Sequence, residues 1–422
     1  MTAARPAQGR RALVAWCLYD WANSPFPTVV VTFVFAAYFT KGIVGDDALG
    51  TGLWSQAMGA SGLLVALLAP VIGAIADAAG RARPWLMAFT VGTVAAGALL
   101  WFAAPDPANA WWVLVLVGLG NVSFEMATVF YNAQLPRLTE PERMGRVSGW
   151  GWACGYLGGL ACLAVALVAL VQAEPAPFGL DRDAAEHVRA IGPLVALWLA
   201  VFGWPLFIFV AEPGGGARVA LRTAVRDGLV RLIATIRQAR RYRDVEWFLI
   251  AKMLYIDGLN TIFGLGGVYA ATAFAMGVDE ILLFGIALNV TAAAGAFAFA
   301  WVDDWLGPKR SLVLGNLGLI ATGLAILIAR DVTWFWIGGL ALGLFIGPVQ
   351  ASSRSLMARL APAGMEAEMF GLYAFSGKAT AFLGPTLVGW VTLATGDPRL
   401  GMATIVPFLV VGLGLLFLVR PR

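Results

Sequence analysis

Charge is what this sequence has least of. Only 13% of its 422 residues are Asp, Glu, Lys or Arg, where a soluble domain carries about 25%. A chain this long and this poor in charge cannot cover its surface in water, so lipid must be the solvent for much of it. Histidine occurs once, at His187 in a polar loop, which leaves histidine-based catalysis almost nothing to work with. The three cysteines, Cys17, Cys154 and Cys162, lie in apolar stretches without CxxC or metal-ligand spacing, so neither disulfides nor zinc are expected. No Gly-x-x-x-x-Gly-Lys-[Ser/Thr] loop is present, which excludes ATP hydrolysis within the chain as an energy source. An intramembrane enzyme would need a paired nucleophile and base, and no two-Asp or His-based helix motif supplies one. A net charge of +4 makes no phosphate-binding stripe, so nucleic acid is not a partner. No cofactor or metal is implied.

What the sequence does hold is apolar length. Hydrophobic residues make up 60% of it, and a membrane-spanning helix needs about 20 of them in a row at about 1.5 Å rise each. Twelve stretches qualify: 12–39, 53–76, 84–104, 111–135, 147–171, 191–210, 247–273, 278–301, 311–329, 333–357, 367–393 and 400–419, hereafter spans 1 to 12. The segment before them is short and basic. The first apolar run lacks a small-residue cleavage site and contains Asp20, so it is read as a retained helix and not a signal peptide.

Lys and Arg gather on the cytoplasmic side of membrane proteins. With the N-terminus inside, 21 of them fall on that side, 5 on the other, and Lys252, Arg354 and Lys378 within spans. Both termini are therefore expected in the cytoplasm. Arg outnumbers Lys by 25 to 4, a usage that fits a GC-rich bacterial genome and hence a plasma membrane. The longest inside segment, 211–246, separates a six-span unit (1–210) from a second (247–422). It opens with Glu212-Pro213-Gly214-Gly215-Gly216 and continues as a basic stretch with apolar Leu221, Val225, Leu229, Leu232 and Ile236. That spacing predicts an amphipathic helix, which either lies on an anionic membrane face or is a solvated linker whose arginines fix topology.

The two units repeat one another. Tyr19-Asp20-Trp21-Ala22-Asn23-Ser24 in span 1 matches Tyr255-Ile256-Asp257-Gly258-Leu259-Asn260-Thr261 in span 7, at an offset of 237. Asp77-Ala78-Ala79-Gly80-Arg81 after span 2 matches Asp304-Trp305-Leu306-Gly307-Pro308-Lys309-Arg310 after span 8, at 227, and Gly149 matches Gly371 at 222. Both units begin inside and hold six spans, so they are parallel repeats with a site expected between them at midplane.

Gly73-x-x-x-Asp77-x-x-Gly80-Arg81-x-Arg83 resembles the signature loop between helices 2 and 3 of the major facilitator superfamily, with Ala78 where a basic residue is usual. Further runs resemble one branch of it, the vacuole-effluxer-like family of fungal autophagy-related amino-acid effluxers and bacterial relatives. They are the span 1 and span 7 runs above, Phe130-Tyr131-Asn132-Ala133-Gln134-Leu135-Pro136, Gly149-Trp150-Gly151-Trp152, Gly155-Tyr156-Leu157-Gly158-Gly159 and Phe370-Gly371-Leu372-Tyr373-Ala374-Phe375-Ser376-Gly377-Lys378. The resemblance implies a twelve-helix transporter of two pseudo-symmetric bundles, self-sufficient as a monomer, that exports amino acids or similar solutes.

Polar groups at bilayer depth carry the remaining information. A charged side chain at a helix centre costs about 2.5–3.5 kcal/mol, so Asp20, Glu125, Asp257 and Lys378 together would cost on the order of 10 kcal/mol if they faced lipid. They must face one another or a wet cavity. Asp20 with Asn23, and Asp257 with Asn260, share helical faces; each pair either binds the solute or a coupling proton, or pins its helix to a neighbour. Asn121, Glu125, Thr128 and Asn132 form a polar stripe on span 4. Burial disfavours the charged form of a carboxylate, and Glu125 is the first choice for a proton-coupling group, with a structural partnership to Lys378 or Arg354 as the alternative. Lys378 is expected to meet Asp20, Asp257, Glu125 or a substrate carboxylate. Arg354 closes an inner gate, meets an anion or anchors topology; Lys252 is expected to snorkel. Asp77, Arg81 and Arg83 are expected to hold the inner gate through a helix N-terminus and nearby carbonyls. Pro25 and Pro27 should disturb span 1. These features predict a secondary transporter of a small polar solute, a zwitterion such as an amino acid best matching the charges; the alternative is a transporter-like sensor or lipid-moving protein.

Overall fold

The computed structural model describes residues 8–212, 221–237 and 242–420, and those residues contain helices and no strand. Among the described residues, eleven helices are long and apolar enough to cross a bilayer by length and composition. Spans 1 to 6 are Arg10–Val44, Asp47–Ala78, Arg83–Phe102, Pro107–Leu138, Pro141–Val171 and Glu186–Phe209. Spans 7 to 10 are Arg243–Phe274, Asp279–Leu306, Pro308–Ile328 and Val332–Leu360, and span 12 is Pro398–Leu416. Span 11 is two half-helices, Glu366–Lys378 and Leu383–Thr395. Pro385 has no N–H and clashes with a carbonyl one turn back, so it is tolerated in a first turn and not in mid-helix. The second half-helix starts just before it. Each half is about 20 Å long, and the two together cross the membrane.

Span 1 is α-helical to Asn23 and again over Val34–Tyr38, and it widens into i→i+5 turns over Phe26–Phe33 and Phe39–Val44. The prolines at 25 and 27 interrupt the i→i+4 ladder there. The outer surface of the spans carries large apolar side chains such as Phe102, Trp111, Trp390 and Leu393, as a lipid-facing surface requires.

Within the first six spans, span 1 packs on spans 5 and 6, span 3 on 4 and 6, and span 2 on 4; within the last six, span 10 packs on 8 and 9, and span 12 on 7 and 9. The two bundles meet chiefly through span 2 against span 11 and span 5 against span 8. Gly371 and Gly149 make these approaches possible. A Cβ at Gly371 would stand 2.3 Å from the Ala69 carbonyl oxygen of span 2, and one at Gly149 would stand 2.6 Å from the Ala300 Cβ of span 8. Small residues let membrane helices come this close.

The linker holds a helix, Leu221–Arg237; Pro213 to Gly216, Arg218, Arg240 and Arg241 lie outside the described residues. It neither floats in solvent nor lies free on a membrane face. Ala224, Leu232 and Thr235 are buried, and the helix packs on span 2 at Gly228 beside Ile75. Arg231 donates to the Gly364 carbonyl at 2.9 Å and pairs with Glu368 at 3.6 Å. Leu229, Val230 and Ile233 stay exposed on its other side. The side of the molecule bearing this helix is called the linker face below.

Candidate functional site

The bundles are joined by charge. Four ion pairs cross between them among the described residues: Asp20–Arg354 at 2.9 Å, Glu125–Lys378 at 2.6 Å, Arg137–Glu366 at 2.8 Å and Arg146–Asp304 at 3.1 Å. The last two lie at span ends on the linker face, and the first two lie deeper.

Arg354 is the hub. Span 10 brings it to the first bundle on a run of small residues whose hydroxyls are satisfied locally, Ser352 by Ser311 at 2.9 Å and Ser353 by Tyr255 at 2.8 Å. The guanidinium is 2% exposed. Nη1 donates to Asp20 Oδ2 at 2.9 Å and Asn132 Oδ1 at 3.3 Å. Nε donates to Ser148 Oγ at 2.9 Å and Nη2 to the Ser148 carbonyl at 2.6 Å. The rings of Trp16, Trp152 and Tyr131 stand 4.7, 5.5 and 5.7 Å from the guanidinium carbon. Gly151 makes the room: a Cβ there would fall 2.6 Å from the Asp20 carboxylate and 2.7 Å from the guanidinium. Every one of these partners belongs to spans 1, 4 and 5.

Lys378 ends the first half-helix of span 11, and Glu125 sits near the middle of span 4. Their side chains are 29% and 22% exposed, so this pair, unlike Arg354, is not sealed within the protein. Asp257 is buried at 1% exposure. The break in span 11 frees the Gly384 N–H, which donates to Asp257 Oδ2 at 3.2 Å, while Oδ1 has no hydrogen-bond partner. Asn260, three residues on, is exposed, and the helix turns it away from the buried Asp257 carboxylate.

Other expected residues fall elsewhere. Asn121 Nδ2 donates to Ser61 Oγ at 2.8 Å, which ties span 4 to span 2 within one bundle. Asn23 is buried beside Ser24, away from Arg354's polar contacts. Lys252 does not snorkel: it is 3% exposed, its Nζ donates to the Tyr373 carbonyl at 2.9 Å, and it lies 3.8 Å over the Tyr373 ring. A carbonyl and a ring on adjacent span 11 hold it in place of water.

On the linker face Asp77 Oδ2 accepts from the Glu368 N–H at 2.7 Å, in the first turn of span 11. Its repeat mate Asp304 accepts from the Arg146 N–H at 3.0 Å, in the first turn of span 5. A carboxylate at a helix N-terminus is favoured by the exposed N–H groups. Arg81 is exposed, and Arg83 donates to the Phe207 carbonyl of span 6, within its own bundle. Sequence reasoning missed Arg137, Glu366 and Arg146. A signal existed: Arg146 and Glu368 are separated by the same 222 residues as Gly149 and Gly371. It also missed the short Tyr156–Gln350 hydrogen bond between spans 5 and 10.

Away from the linker face, the second bundle is hollowed beside span 1. A cavity of about 460 Å³ opens beside Thr28, Phe33, Tyr269, Phe284 and Asn289 and reaches Leu409, which packs on Gly258 beside Asp257. Its lining is mostly apolar, and the charged residues above do not line it. The arrangement is a two-bundle body joined by ion pairs toward the linker face, with an apolar cavity toward the other face.

The family description "Vacuole effluxer Atg22 like" matches residues 56–422. The MFS-type transporter YxiO of Bacillus subtilis is 28% identical over 411 residues, covering 95% of this chain and 93% of that protein. Autophagy-related protein 22-1 of Penicillium rubens is 25% identical over 296 residues, covering 65% of this chain and 49% of that protein. The human organic anion transporter MFSD10 superposes with a TM-score of 0.73 at 16% identity, covering 96% of this chain and 99% of that one. The proton:xylose symporter XylE superposes with a TM-score of 0.76 at 12% identity, covering 97% and 95%. The two structures share the fold, two six-helix bundles of the major facilitator type; the Bacillus relative and both structural neighbours are transporters and not enzymes. The chain belongs to the vacuole effluxer Atg22-like family and is an integral membrane transporter of the major facilitator superfamily.

Proposed function

We propose that this protein is a secondary transporter that exports an amino acid or similar zwitterion by alternating access, with Glu125 as the proton-coupling carboxylate. One observation carries the reading: the part-exposed Glu125–Lys378 pair spans the bundles beside a break in span 11. A zwitterion exchanges one ion pair for two without leaving a charge bare. Its carboxylate meets Lys378 and its ammonium meets Glu125. A neutral sugar would part the pair and compensate neither charge. Asp257, with one oxygen unpartnered among the described residues, is the second candidate for the proton, and the exposed Asn260 is a candidate solute contact.

The bundles 1–210 and 247–422 rock against each other, with 211–246 as their tether. Asp20–Arg354, the Asp77 and Asp304 contacts and the Arg137–Glu366 pair form the gate. Arg83 braces it from within the first bundle, and Arg81 fixes topology. The arginine distribution supports a cytoplasmic linker face and cytoplasmic termini in a bacterial cell, and on that reading the cavity faces outward. The export direction rests on the family resemblance. Saturable flux of a labelled zwitterion in vesicles of the purified protein tests the reading. A protein that binds but never moves solute would instead be a sensor.

A further inference from the structure

We propose that the Arg354 pocket is a receptor for a guanidinium or alkylammonium group, filled by the protein's own arginine in this state and by a side-chain cation of the solute, distinct from the ammonium that meets Glu125, once the linker face opens. The inference rests on the alternating-access reading above and names the chemistry of the site that reading exposes. All of the acceptors belong to the first bundle: the Asp20 carboxylate, the Asn132 amide oxygen, and both oxygens of Ser148. The ring walls do too.

Those walls do not depend on Arg354. Trp16 and Tyr131 stack at 4.4 Å between centroids. They are also bonded reciprocally: Trp16 Nε1 donates to the Tyr131 carbonyl at 3.2 Å, and the Tyr131 hydroxyl donates to the Trp16 carbonyl at 2.9 Å. Tyr19 stacks on the other face of the cluster at 5.0 Å and is fixed by its hydroxyl to Thr90 at 2.6 Å. Trp16, Tyr19 and Tyr131 are all fully buried. When span 10 withdraws Arg354, a carboxylate, three further oxygens and preset aromatic faces remain. Asp20 then lacks its counter-charge, which is costly in a low-dielectric setting. Aromatic faces favour large, weakly hydrated cations of the guanidinium and alkylammonium type. Arg354, returning, displaces that cation and closes the gate, so release and closure are one event.

The test vacates the pocket directly. In Arg354→Ala, methylguanidinium at about 10 mM should raise the melting temperature against a sodium chloride control, because a ligand that binds the folded state stabilises it. Wild type should not respond, and Arg354→Ala with Asp20→Asn should bind at least tenfold more weakly. Equal responses with and without the Asp20 carboxylate, or none in Arg354→Ala, would overturn the receptor. If that variant does not fold, wild-type vesicles decide. Methylguanidinium should inhibit solute flux when present at the linker face alone, and Trp152→Ala should relieve it. Inhibition from both faces or neither sinks the proposal while leaving the flux, and hence the transporter reading, intact.

Discussion

Two basic residues in mid-membrane, Arg354 and Lys378, do different work because their surroundings differ. Lys378 and its partner Glu125 are both part-exposed, so a solute can compete for either. Replacing Lys378 by Met should weaken apparent solute affinity about 10- to 100-fold, the worth of one charged hydrogen bond, in a concentration series of flux. Glu125→Gln keeps the shape and removes the titratable group. Exchange of labelled for unlabelled solute should persist in it, while proton-driven accumulation is lost. Arg354 is sealed, and its planar fork meets four oxygens, which one ammonium cannot do. Arg354→Lys should therefore loosen the gate, raising reactivity of a cysteine placed at Ser148 toward a thiol reagent added at the linker face. At this scale the sequence was informative about which residues matter and silent about partners. Cost in lipid singled out Asp20, Glu125, Asp257 and Lys378. Which charge meets which depends on how helices far apart in the chain are rotated, and spacing along one helix does not contain that.

Helices set those rotations, and two features of them were only partly legible. The prolines near Asp20 and the twelve apolar runs marked the spans. The break inside span 11 was not read, because its residues 379–382 are as apolar as a helix, and only the position of Pro385 betrays it. The repeat offsets, by contrast, located the tight crossings. Gly371 meets span 2, and Gly149 meets span 8, at equivalent places. Overpacking such a contact costs about 1–3 kcal/mol. Gly371→Leu should thus weaken the closed linker face and lower the melting temperature by several degrees, while Gly389→Leu, where a Cβ meets nothing within 4 Å, should leave it unchanged. The linker helix was legible as amphipathic, but its docking against spans 2 and 11 depends on Gly228 and Arg231 finding surfaces that exist only in the folded molecule.

For the molecule as a whole, the ion pairs between the bundles are distributed unevenly: all four found among the described residues lie at or on the linker side of mid-depth, and the opposite side is a largely apolar cavity. Closing the linker face therefore satisfies charges, and opening it strands them. An empty carrier would have to separate Asp20 from Arg354 and Glu125 from Lys378 with only water in exchange, whereas a loaded one carries replacements for them. The slow leg of the cycle should then be the return of the unoccupied protein. Unlabelled solute on the receiving side should accelerate release of labelled solute several-fold, and net release into solute-free buffer should lag behind. Identical rates would mean that breaking these contacts does not limit turnover. On the proposed reading the same asymmetry makes leakage rare: without a passenger, the molecule is held shut at its linker face by its own fixed charges.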